Sequence, residues 1–157
     1  MKKYNNNDKY WMKIALFFAR IAFFQKEVPV GSILVKSEKI VGFGWNKIIQ
    51  NNDPTGHSEI ITLRNSGKFL KNYRLLKTSL YVTLEPCMMC LGAILHSRIN
   101  KLIIGAKKNK IFKNILYKNN KILSSKRFKI KIVKNVLKNE CSNLLKNFFL
   151  NKRKNTF

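Results

Sequence analysis

Ser79-Leu80-Tyr81-Val82-Thr83-Leu84-Glu85-Pro86-Cys87-Met88-Met89-Cys90 is the stretch whose reading decides the fold. Its first half, Ser79 to Leu84, is rich in β-branched and aromatic residues and predicts a strand. Pro86 has a fixed φ suited to the first turn of a helix, and Cys87, Cys90, Ala93, Ile94 and Leu95 continue the pattern that follows it. A strand passing through a proline into a helix thus places a C-x-x-C at the helix start. There the free backbone N–H groups and the positive end of the dipole favour thiolate over thiol.

The chain upstream has the same grammar. Val28-Pro29-Val30-Gly31 leads into Ser32–Val35, a polar turn at Lys36–Lys39 and a second apolar run, Ile40–Trp45, which together predict a β-hairpin. Asn46–Gly56 reads as a polar loop containing Asp53-Pro54-Thr55, and a helical pattern begins around His57 with Ile60, Ile61 and Leu63. Before the hairpin, Trp11, Ile14, Phe18, Ile21 and Ala22 recur at helical spacing, with Asp8 placed to start the helix.

Downstream, Leu102–Ala106 predicts a buried strand, and Lys107–Arg127 is basic and weakly patterned. Phe128–Val133 alternates with lysines as a half-exposed strand would, and Asn139–Phe149 predicts a closing helix. The order of these elements predicts an α/β fold, a sheet covered by helices on both faces. A chain of 157 residues suits a single domain over 1–157, with residues 1–8 and 151–157 expected to be frayed basic termini.

Composition narrows the class. Hydrophobic residues make up 45% of the chain, enough for a globular core, and no stretch reads as a membrane span. Met1-Lys2-Lys3 and the apolar run Ile14–Phe24 mimic a signal peptide. Lys13 and Arg20 break that resemblance and no small-residue cleavage site follows, so a cytoplasmic protein is expected. Three cysteines, two of them in the C-x-x-C, argue for a reduced compartment and a metal site over a disulfide framework. Cys141 falls in an amphipathic stretch and is expected to be a small buried residue. Net charge is +25, from 32 basic against 7 acidic residues, and would attract polyanions in a salt-dependent way. Lys, Asn and Ile dominate throughout, as A/T-rich coding produces, so the charge supports nucleic-acid binding only weakly.

His57-Ser58-Glu59 and Pro86-Cys87-x-x-Cys90 carry the chemistry. Zinc favours imidazole and thiolate, and a catalytic site uses three protein ligands while leaving one position for water. His57, Cys87 and Cys90 supply three. Glu59 lies two residues from a ligand, so it can stand beside the metal as a general acid–base without binding it. A closed structural site would need a fourth ligand from His96 or the distant Cys141. A redox C-x-x-C leaves the H-x-E without a purpose. H-x-E followed by P-C-x-x-C is the signature of zinc-dependent nucleobase deaminases.

Beyond that motif, Trp11 to Ala106 resembles the bacterial tRNA-specific adenosine deaminase family. The likeness is carried by Glu27-Val28-Pro29-Val30-Gly31, Gly44-Trp45-Asn46, Asp53-Pro54-Thr55, Asn72-Tyr73-Arg74-Leu75, Tyr81 to Cys87, Gly92-Ala93 and His96-Ser97-Arg98-Ile99. Glu140-Cys141 to Phe149 is similar to the family's closing helix. The resemblance implies a three-layer α/β/α, cytidine-deaminase-like fold around a mixed sheet of about five strands. It also implies a homodimer with one zinc per subunit, a tRNA anticodon stem-loop as partner, and conversion of wobble adenosine to inosine. Asn46 is implied as a hydrogen-bond partner of the flipped purine; Glu85 is a residue that caps or braces the turn before Pro86.

Two departures stand out. Ser58 replaces the family's usual alanine, and Lys107 to Asn114 replaces an acidic residue and a glycine- and alanine-rich run. Lysines 107, 108, 110 and 113 would hold RNA by its phosphates. Two other readings use the same residues: a small-molecule deaminase of the guanine or cytidine type, and a non-catalytic RNA-binding protein on this fold.

Overall fold

The structure, a computed structural model, describes residues 6–107 and 130–154. Strands β1 (Gly31–Lys36) and β2 (Lys39–Trp45) form the expected hairpin. Ser37 and Glu38 join them, both at positive φ (47° and 59°), the mirror-image turn whose twist matches that of the strands. β3 (Ser79–Leu84) pairs antiparallel with β1. β4 (Lys101–Ala106) and the short β5 (Lys131–Val133) continue the sheet in parallel, giving the order β2-β1-β3-β4-β5. The sheet is therefore mixed and five-stranded.

Strand alternation divides the core in two. Ile33, Tyr81 and Ile103 point to one face, against Trp11, Met12, Ala15 and Leu16 of α1 (Asn6–Phe24) and Cys141 of α4 (Lys138–Lys154). Leu34, Leu80, Val82, Leu102 and Ile104 point to the other, against Leu63 of α2 (Ser58–Leu70) and Ile94 of α3 (Met88–Ser97). The result is the α/β/α three-layer fold expected from the element order.

Differences from the sequence reading lie at the ends of elements. α1 already includes Asn6, and Asp8 is buried in its first turn. Asp8 accepts hydrogen bonds from the Tyr81 hydroxyl (3.1 Å) and the Lys101 ammonium (2.7 Å). α4 runs through Lys154, so residues 151–154 are helical where a frayed tail was expected. β5 is shorter than Phe128–Val133; residues 128 and 129, the basic stretch after Lys107 and residues 155–157 lie outside the described residues. Cys141 is buried as expected, seated over Gly105 of β4, where a Cβ would touch its sulfur. Burial pushes its thiol up to about 12.

The start of β1 is set by a close approach. A Cβ on Gly31 would collide with the Ala15 carbonyl oxygen and the Ala19 nitrogen of α1, backbone atoms that cannot turn aside. Gly31→Ala is expected to cost about 1–3 kcal/mol by overpacking. Urea denaturation checks this, and an unchanged midpoint would show that α1 lies looser on the sheet than described.

Candidate active site

The site forms at one edge of the sheet, where β3 and β4 end, β1 begins, and β2 delivers Asn46. His57 is the N-cap residue of α2 and Cys87 that of α3, both with extended backbone (φ −73°, ψ 149° and φ −76°, ψ 176°). Neither side chain caps its own helix. Instead they turn towards each other: His57 Nδ1 lies 3.6 Å from Cys87 Sγ and 3.5 Å from Cys90 Sγ. The three ligating atoms fall within 4.8 Å of one another, so one small cation can touch all three. Among the described residues this is the group able to hold a metal; His96 is exposed, and Cys141 is on α4 against β4.

The surroundings shift the two thiols in opposite directions. Hydrogen bonding from Cys90 lowers Cys87 to about 5 against the opposing effect of burial, with the Cys90 and Met89 backbone N–H groups and His57 adding to it. Cys90 is pushed well above the ordinary thiol range, first by its bond to Cys87 and then by burial and the Glu59 carboxylate.

Glu59 sits in the first turn of α2, only 3% exposed. Burial raises its pKa, while its own backbone N–H, the Ser58 hydroxyl (3.0 Å to Oε2) and His57 offset part of the shift. Asn46 is likewise buried, and its Oδ1 accepts the Ser58 backbone N–H at 2.9 Å. That bond fixes the amide and leaves its NH₂ end for a ligand. The loop carrying Asn46 is pinned by a residue that sequence reasoning placed in a motif but gave no role. Glu27, fully buried, accepts the Ile49 and Gln50 N–H groups at 2.7 and 2.8 Å on one carboxylate oxygen.

His57, Glu59, Cys87 and Asn46 all line one cavity of about 780 Å³. Glu85 also lines it and lies 3.7 Å from Lys134, a brace between the end of β3 and the chain after β5. α4 forms a wall of this cavity through Lys146, Phe149 and Arg153, none singled out from the sequence. The signal was present: Ser142, Lys146, Phe149 and Arg153 recur at four, three and four residues, one helical stripe. Of the four lysines expected to grip RNA, Lys107 is exposed at the cavity, and the other three lie outside the described residues.

An imidazole and two thiols at paired helix starts, beside a buried carboxylate and under an open cavity, are the groups that the chemistry of a zinc-dependent nucleobase deaminase calls for. The family model described as MafB19-like deaminase matches residues 6–153. The tRNA-specific adenosine deaminase of Buchnera aphidicola subsp. Schizaphis graminum is 54% identical over 154 residues, covering 95% of this chain and 98% of that one. That of Haemophilus influenzae is 44% identical, covering 93% and 85%. A solved structure from work on A-to-I editing by tRNA:A34 deaminases superposes with a TM-score of 0.78 at 32% identity, covering 87% of this chain and 99% of that one. The chain belongs to the deaminase family, among the tRNA-specific adenosine deaminases.

Stripped of metal, the protein should be alkylated first at Cys87, at a pH below the ordinary thiol range, because the hydrogen bond from Cys90 and the helix-start N–H groups favour its thiolate. Cys90 should remain protonated and slow at neutral pH. Peptide mapping after iodoacetamide treatment across pH checks the order, and faster labelling of Cys90 would reverse the assignment.

Proposed function

We propose that the chain catalyses zinc-dependent hydrolytic deamination of adenosine to inosine at the wobble position of a tRNA anticodon, in the cytoplasm, as a homodimer with one zinc per subunit. The identity that spans nearly the whole chain and the whole of the Buchnera enzyme carries the choice of tRNA over a free base. Zinc fits the donors: bond lengths of about 2.0 Å to nitrogen and 2.3 Å to sulfur in a tetrahedron separate N from S by roughly 3.5 Å, and the observed distances are 3.5 and 3.6 Å. His57, Cys87 and Cys90 would hold the ion, and zinc, when bound, supplies a Lewis acid that makes a water molecule acidic near neutral pH.

The chain's own groups do the rest. The buried Glu59 takes one proton from the attacking water and passes it to the purine ring nitrogen. It then takes the second, from the hydroxyl now on the base carbon, and gives it to the amino group, whose C–N bond breaks as the carbonyl forms. Adenosine and water thereby become inosine and ammonia. Its raised pKa suits a carboxyl that must hold a proton between those steps. Asn46 donates its NH₂ to an acceptor on the base edge, in the orientation set by the Ser58 N–H. The cavity is of a size to enclose a nucleoside. Dimerisation is supported by the outer face of α3, where Met88 and Met89 are exposed and a Cβ on Gly92 would meet nothing.

The deciding experiment incubates purified protein with tRNA bearing a wobble adenosine, and in parallel with free bases and nucleosides. Inosine at that position alone is expected; turnover of guanine or cytidine without it would favour the small-molecule reading. Glu59→Gln should keep its metal and lose activity by a factor of about 10² or more, since only proton transfer is removed. His57→Ala should lose metal and activity together, as elemental analysis reads directly. Asn46→Ala should lower kcat/KM by roughly 2- to 10-fold with metal retained, the worth of one hydrogen bond to substrate.

A further inference from the structure

The outer face of α1 carries a pattern that the reaction does not use. Lys13, Phe17, Arg20 and Phe24 recur at intervals of four, three and four residues, so they form one stripe along the helix. All four are exposed, Phe17 by 59% and Phe24 by 82%. The opposite face, with Trp11, Met12, Ala15, Leu16 and Ala19, already fills the core, so these rings are not needed there. Beside the stripe, Phe18 lies stacked between Phe43 and Trp45 of β2, with centroids 4.6 and 5.8 Å away and planes within 12° and 6°. Phe17 meets Phe18 edge-on at 5.5 Å, Phe43 remains 44% exposed, and Lys47 Nζ sits 4.4 Å from the Trp45 ring centroid.

Rings alternating with cations suit one kind of occupant. A second copy of a chain with net charge +25 would bring like charges onto Lys13 and Arg20, and α1's one acidic residue, Asp8, is buried. A single-stranded nucleic acid supplies what the surface lacks: phosphates for the cations and flat base faces for the rings. Two residues beside the patch stand next in sequence to residues that line the cavity. Trp45 directly precedes the cavity residue Asn46, and Phe23 packs on Phe148 of α4, next to the cavity residue Phe149.

We propose that this face of α1 and β2 is a second RNA-binding surface. It stacks unpaired nucleotides flanking the target on Phe17, Phe24 and Phe43 while Lys13 and Arg20 hold their phosphates. The identification of the RNA as substrate rests on the function proposed above; the surface itself does not.

Three variants of the full chain test it: Phe17→Ala with Phe24→Ala, Lys13→Gln with Arg20→Gln, and all four together. Each uses good helix formers at exposed positions, so circular dichroism and melting should match the parent. For a short oligouridine, which contains no adenosine, the ring variant should bind about 30-fold more weakly with its salt dependence kept, the loss of two stacking platforms. The charge variant should flatten the log–log salt slope by about 1.4, two single-strand phosphate contacts. With tRNA, KM should rise while kcat changes less than about twofold, because the cavity is untouched. Unchanged oligouridine affinity and salt slope would overturn the proposal. So would a shift in sedimentation, or lost binding to anionic vesicles, with RNA affinity unaltered; either would assign the face to a second copy or to a membrane. If the parent makes no inosine from tRNA, the proposed reaction fails, yet the oligouridine measurements still decide the surface.

Discussion

Two helices that begin where the sheet ends are the constraint on which the site depends. His57 and Cys87 are 30 residues apart, yet their donors lie 3.6 Å from each other because α2 and α3 start side by side on one face. N-cap residues are a sound place for such ligands. Their backbone is extended, so the side chain leaves the helix axis, and the unpaired N–H groups of the first turn stabilise negative charge nearby. Cys90, one turn further on, reaches the same point, and Glu59 is carried to its flank by the turn that follows His57. The sheet fixes the two helix starts, and they fix four of the functional groups.

A second set of constraints acts through the loop between β2 and α2. One carboxylate oxygen of Glu27 takes two backbone N–H groups of that loop, and Asn46, at the loop's start, accepts the N–H of Ser58, the first residue of α2. The Asn46 amide is thus oriented by the same helix start that presents Glu59. Ser58 adds a side-chain hydrogen bond to Glu59 that an alanine cannot make. Asn46 and Glu59, the groups proposed to read the base and to move protons, are both hydrogen-bonded to Ser58. Preorganisation of this kind costs nothing at the moment of reaction.

Charge in this chain is arranged by exclusion more than by attraction. With 7 acids against 32 bases, a carboxylate is rare, and several acids are buried in defined work: Asp8 under Tyr81 and Lys101, Glu27 under the loop, Glu59 in the cavity, Glu85 beside Lys134. The exposed surface is left basic. Such a surface draws RNA from every direction, so its placement in the cavity must come from shape and from the few groups aimed at the base.

The sequence by itself determined the three-layer order of elements and pointed to His57, Cys87, Cys90 and the neighbouring Glu59, which the fold brings together. Those signals are local: alternation, helical spacing, a proline before a C-x-x-C, and residue types that only metal chemistry explains at such spacing. It also exposed the hairpin, although a Ser-Glu turn at positive φ is an unusual choice. Tertiary structure alone decided three things. Glu27 looked like part of a motif, and only the folded loop shows which N–H groups it satisfies. The basic end of the chain read as a tail, but α4 packs on β4 through Cys141 and on Phe23 of α1 through Phe148, runs on to Lys154 and forms a wall of the cavity. Periodicity placed Trp11, Ile14, Phe18, Ile21 and Ala22 on one stripe of α1, and only burial shows that Met12, Ala15, Leu16 and Ala19 fill the core while Ile14, Phe18 and Ile21 are half-buried. In each case the deciding fact is which surface a side chain meets. Residues distant in sequence determine that, and periodicity within one element cannot record it.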